Sequence, residues 1–143
     1  MQEQTKETDN SSDVSDVKKE VKRILIVEDD DFLRGLLSDS LKDFGYKVDS
    51  AENAEVAFNF IDANTPNVVL LDLMLPGVGG LDILSEIKVK RKLDTSVVVL
   101  SNLGNKEDID KALELGAVDF IVKAGVTPKQ IIGRVEEVLN DDV

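Results

Sequence analysis

Four short segments hold the residues that could do chemistry together. Glu28-Asp29-Asp30-Asp31 is a run of carboxylates, Asp72 precedes Leu-Met-Leu-Pro-Gly, Ser101 closes a run of Val and Leu, and Lys123 follows Asp119-Phe-Ile-Val. Clustered carboxylates repel one another and hold a divalent cation, whereas a hydroxyl and an ammonium can hold the equatorial oxygens of a transferring phosphoryl group. Taken singly, each has a plainer explanation. The acids suit a helix N-terminus, where negative charge is favoured. Asp72 suits a turn, Ser101 a loop and Lys123 a solvated strand end. Taken together, these would be four coincidences at the same end of four apolar segments.

The composition narrows the chemistry. The chain has no Cys and no His, so disulfides, thiol catalysis and the commonest transition-metal ligand are absent, and carboxylates remain, which suit hard cations such as Mg²⁺. Without histidine the chain forms no phosphohistidine of its own, so a donor of that kind is another protein.

Alternating patterns place these residues. Arg23-Ile-Leu-Ile-Val27 is apolar on both faces, as a strand covered by helices on both sides must be. Leu33, Leu36, Leu37, Leu41 and Phe44 recur at helical spacing, and Gly45 stands where that helix ends. One of Asp30 and Asp31 is expected to cap this helix, begun at Phe32. Tyr46 to Ser50 reads as a half-exposed strand, and Ala54, Ala57, Phe58 and Ile61 as one face of a helix capped by Asn53. Val68–Leu71 reads as a buried strand, and Leu81, Leu84 and Ile87 mark a third helix. Val97–Leu100 is the fourth strand, and Ile109, Ala112 and Leu113 mark a helix stopped by Gly116. Asp119–Val122 is the fifth strand. Thr127-Pro-Lys-Gln130 opens the last helix with a capping box and Pro at its first position.

Five β-α units in succession predict an α/β, doubly wound, five-stranded parallel sheet with helices on both faces. Ligands of such sheets bind beyond the carboxyl ends of the strands, which is where the four segments fall. Residues 1–21, rich in Gln, Ser, Asp and Glu, read as a disordered tail, and 22–140 as the folded domain. The net charge of −12 repels nucleic-acid phosphates and anionic membrane surfaces, so neither is expected as a partner. No apolar run approaches the roughly 20 residues that span a bilayer, and the polar start lacks a signal peptide's apolar core. A cytoplasmic location is expected.

ILIVEDD, VVLLDLMLPGVGGLDIL, VVVLSN and GAVDFIVK, spread over residues 23–139, resemble the receiver domains of response regulators in two-component signalling, of flavodoxin-like fold. The resemblance implies that Asp72 is the phosphoacceptor, modified by a histidine kinase or histidine phosphotransfer protein. It implies that Asp29, Asp72 and the backbone carbonyl of Met74 bind Mg²⁺, with Glu28 assisting. Ser101 takes the Ser/Thr switch position, Lys123 that of the phosphate-sensing lysine, and Phe120 that of the rotating aromatic. On this reading the chain is a stand-alone phosphoprotein and not an enzyme, and it signals by binding an unknown downstream protein. Two positions depart from the family. Ala124 follows Lys123 where proline after a cis bond is usual. A cis bond before Ala costs about 2.5 to 4 kcal/mol, so the isomer and the placement of Lys123 stay open. Phe120 lacks the hydroxyl of the usual Tyr. Met74 and Leu103, flanking the path of an attacking water, are both apolar. Two rivals remain: a pseudo-receiver acting as a phosphorylation-independent binding module, and a Mg²⁺-dependent aspartyl-nucleophile phosphatase of the haloacid-dehalogenase type. The phosphatase needs an Asp where Met74 stands.

Overall fold

The structure is a computed structural model that describes residues 20–102 and 104–141. The expected tail, 1–21, lies outside the described residues except for its last two, and Leu103 lies outside them also. Five parallel strands form one sheet: β1 (Arg23–Val27), β2 (Lys47–Ala51), β3 (Val68–Asp72), β4 (Ser96–Ser101) and β5 (Asp119–Val122), in the order β2-β1-β3-β4-β5. The reversal of order falls between β1 and β3, so the crevice at the strands' carboxyl ends opens there.

Alternation along the strands builds two cores. Leu25, Val27, Val69, Leu71, Val97 and Val99 face one side and pack with α2 (Ala54–Ala63), α3 (Gly80–Ser85) and α4 (Lys106–Glu114). Ile24, Ile26, Val68, Leu70, Val98 and Leu100 face the other side, under α1 (Asp31–Asp43) and α5 (Pro128–Asn140). Since successive strand side chains point to opposite faces, a strand buried on both sides must be apolar throughout; β3 is buried at every position. This is the doubly wound parallel sheet that the pattern predicts.

The helix ends follow local chemistry. Asn53 and Asn105 accept hydrogen bonds from Val56 N and Asp108 N, and Thr127 and Gln130 form a reciprocal capping box ahead of Pro128. Asp30 caps α1 by accepting from Leu33 N at 3.1 Å, and the helix begins at Asp31 rather than Phe32. The third helix continues into a π-helical turn, Glu86–Lys90, where Lys88 Nζ bonds the carbonyls of Leu93 and Thr95. The apolar stripe of α1 is wider than the core it serves. Leu37 and Leu41 are buried, but Leu36 and Phe44 are 37% and 58% exposed, and Phe32 is 79% exposed.

Candidate functional site

The sheet register sets the site. Val27 pairs with Leu71, so the next residues, Glu28 and Asp72, leave neighbouring strands side by side. Asp72 pairs with Leu100 and Ser101 with Val122, which places Ser101 one step beyond Asp72 and Lys123 one step beyond Ser101's partner. Asp72 and Ser101 prove to be the last residues of their strands rather than the first of the following loops, and both are buried. Side chains as far apart in the chain as Glu28 and Lys123 thus meet without any loop having to carry them.

Glu28 is 1% exposed and Asp72 2%, whereas Asp29 is exposed. One carboxylate oxygen from each lies within 4.8 Å of the others. Lys123 Nζ lies 2.6 Å from Glu28 Oε1 and donates to Asp72 Oδ2 at 3.3 Å. Asp72 Oδ1 accepts the Met74 N–H at 3.0 Å, and Glu28 Oε2 accepts the Asp30 N–H at 3.0 Å. The contact between Lys123 and Glu28 is an ion pair by distance only. By donor geometry Oε1 accepts no hydrogen bond among the described residues, so the close ammonium serves it as a charge partner.

Electrostatics follow from burial. Desolvation raises the Glu28 carboxyl from 4.5 to about 7, the nearby Asp72 charge adds to the rise, and Lys123 together with the Asp30 N–H opposes it. Burial lowers the Lys123 ammonium, but the Glu28 and Asp72 carboxylates outweigh it and the net direction is upward. The lysine is therefore a fixed positive charge. The site carries three carboxylates and one ammonium, with a buried carboxylate oxygen that lacks a hydrogen bond. Such a set fits a hard divalent cation, which would supply the missing positive charge to oxygen ligands.

The backbone around Asp72 is held tightly. Leu73 N donates to Leu100 O at 3.0 Å, and Gly80 N donates to Leu73 O at 3.1 Å. Gly80 comes so close that a Cβ there would lie 2.5 Å from the Asp72 carbonyl oxygen and 2.6 Å from Leu73 Cα. Arg34 donates to the Glu28 carbonyl at 2.7 Å and also pairs with Asp31, pinning α1 to the acidic turn. Neither Gly80 nor Arg34 figures in the sequence reading. The three-residue spacing of Asp31 and Arg34 on a helix was the available signal for the second.

The described residues contain no cis peptide, so Lys123–Ala124 is trans. Lys123 opens a 3₁₀ turn, Lys123–Gly125, and still reaches both carboxylates. Phe120 is half-buried against the α2–α4 core, and the Met74 side chain is 57% exposed.

The family model for the response regulator receiver domain matches residues 24–136. The chain belongs to this family. Among its relatives, a probable transcriptional regulator of Guillardia theta is 36% identical over 82% of this chain and 45% of its own length. The receiver-domain protein (CheY-like) of Methanospirillum hungatei superposes with TM-score 0.79 at 27% identity, covering 85% of this receiver chain and 96% of that one. A DNA-binding response regulator of Staphylococcus aureus, of the LuxR family, gives 0.75 at 25% identity, covering 82% and 98%. The chain spans about half the length of the curated relatives it matches. One expectation is corrected by these relatives. The exclusion of nucleic acid does not stand, because receiver relatives include transcriptional and DNA-binding regulators. The net charge of −12 belongs to these 143 residues alone, and surface charge does not define a family's partners. Among the described residues, no helix is long and apolar enough to cross a membrane.

Proposed function

We propose that this receiver domain is a phosphorylation switch in which Asp72 accepts a phosphoryl group from a histidine kinase or a histidine phosphotransfer protein. The observation that carries the reading is Lys123, bridging Asp72 and Glu28 beside the three clustered carboxylates. An Asp72 carboxylate oxygen bonds to phosphorus as the donor's N–P bond breaks, the electron pair leaves on the imidazole nitrogen, and an acyl phosphate results. Lys123 places positive charge beside the attacking carboxylate, and the Met74 N–H fixes its orientation. Glu28, Asp29, Asp72 and the Met74 carbonyl would hold Mg²⁺. When bound, the ion neutralises charge on the phosphoryl oxygens.

The acyl phosphate adds negative charge and acceptor oxygens at a buried strand end. Ser101 turns toward them, Phe120 moves inward, and the face of α4, β5 and α5 changes shape. This altered face is read by a downstream protein. The domain acts as a signalling module in the cytoplasm rather than as an enzyme with turnover of its own.

The test is intact mass after incubation with Mg²⁺ and acetyl phosphate. Wild type should gain one phosphoryl group, and Asp72→Asn none. Equal labelling of the two proteins would refute the assignment of Asp72.

A further inference from the structure

From the pairing of charges and apolar residues on the outer face of α1 and α5, we infer that this face docks a second copy of the chain around a two-fold axis. Leu36 and Ser40 of α1 and Phe44, which caps its C-terminal end, with Lys129, Gly133 and Glu136 of α5, line one groove. Each helix follows its strand and returns across the same face of a parallel sheet, so α1 and α5 run in the same direction. Phe44 is 58% exposed and Leu36 37%, although both continue the stripe that fills the core.

The arrangement is complementary to itself. Lys129 and Glu136 are seven residues apart, about 10 Å along the helix, and Leu36 and Phe44 are eight apart, about 12 Å. The small residues Ser40 and Gly133 sit near the middle of each span. Gly133 is exposed, and a Cβ there would meet nothing within 4 Å. A two-fold axis across the helices sets α5 antiparallel to its copy, and α1 likewise. Lys129 then faces the copy's Glu136 twice over, and Leu36 faces the copy's Phe44 twice over, as an isologous interface requires. The small residues let the backbones approach at the centre. Glu136 is already held in place, accepting the Tyr46 hydroxyl at 3.2 Å, so its carboxylate is partly ordered before a copy arrives.

The pairing involves none of the phosphorylation-site residues, so it stands or falls separately from the proposed switch. The net charge of −12 opposes self-association and is screened by salt. Sedimentation equilibrium of the full chain in about 0.15 M salt, from about 10 to 500 µM, should therefore show a reversible dimer. Lys129→Glu alone and Glu136→Lys alone should each weaken it at least about tenfold by setting like charges opposite, and the double reversal should restore it. Restoration by the double variant also excludes misfolding as the cause of either single loss. A wild type that stays monomeric overturns the inference, as does a double reversal no better than the single ones. A monomer whose α1 and α5 variants instead slow phosphoryl transfer from a kinase overturns it by assigning the groove to the kinase.

Discussion

The buried Glu28 carboxyl makes the stability of the cation-free protein depend on pH in an unusual direction. Its pKa in the fold is about 7, above the 4.5 of the unfolded chain. The folded protein therefore holds this proton more tightly, and the contribution to stability is full below about pH 4.5 and lost as pH rises through about 7. At about 1.4 kcal/mol per unit, the loss is about 2 to 3 kcal/mol between about pH 5 and about pH 8. Ordinary salt-bridged carboxylates act in the opposite sense. Glu28→Gln keeps a side chain of the same size and removes the titration, so it isolates this group from the rest. Urea unfolding of both proteins in chelator, across that pH range, is the assay. Wild type should lose about 2 to 3 kcal/mol relative to Glu28→Gln as the pH rises. Mg²⁺ should then stabilise wild type more at about pH 8 than at about pH 5, because below 7 the cation must displace the proton. A stability difference that stays flat, or that grows in favour of wild type with pH, would refute the argument that burial governs Glu28.

Three further outcomes follow from the site. Asp29→Ala should weaken Mg²⁺ binding by titration calorimetry far more than Asp31→Ala, while Asp30→Ala should cost about 1 kcal/mol of stability through its lost cap. Gly80→Ala should force the Asp72–Leu73 backbone away, costing about 1 to 3 kcal/mol, or roughly 5 to 10 °C in melting temperature, and slowing acetyl phosphate labelling. Met74→Asn should shorten the lifetime of the labelled protein after donor removal, because its exposed apolar side chain cannot orient a water and an amide can; decay no faster than wild type would show that Met74 does not control water access.

Much of the fold is legible in the amino-acid sequence. Period-two and period-3.6 patterns located the five strands to within a residue or so and the apolar faces of the five α-helices, though not the π-helical and 3₁₀ turns, because strands buried on both faces leave few alternatives to Val, Ile and Leu. The meeting of the site's side chains at one rim was readable for the same reason: Asp72 and Ser101 are the first polar residues after such runs. What the pattern missed was depth. The stripe on α1 promised a buried Phe44, yet Phe44 is the residue that caps the helix's C-terminal end, and it is left largely in water. Glu28 read as one acid of a helix-capping run or as an assistant to Mg²⁺, with no signal of its depth; its strand register carries it inside while Asp29 stays out. The cap fell to Asp30, since Asp31 is already helical and pairs with Arg34. Gly80 has no local signal, as its constraint comes from a backbone segment brought against it only by the fold.

The position of β5 at the sheet's margin has a bearing on how the molecule fluctuates. Four residues long and bonded to β4 alone, it carries Phe120 and delivers Lys123 to carboxylates that belong to β1 and β3. Short edge strands open at a free-energy cost below that of global unfolding. Each such opening pulls the ammonium out of the acidic cluster, and the attraction between them is in turn a tether on the strand. Amide exchange along Asp119–Val122 is thus a gauge of the charge at the far rim: whatever strengthens the hold on Lys123 slows exchange there, and whatever competes for the carboxylates releases it.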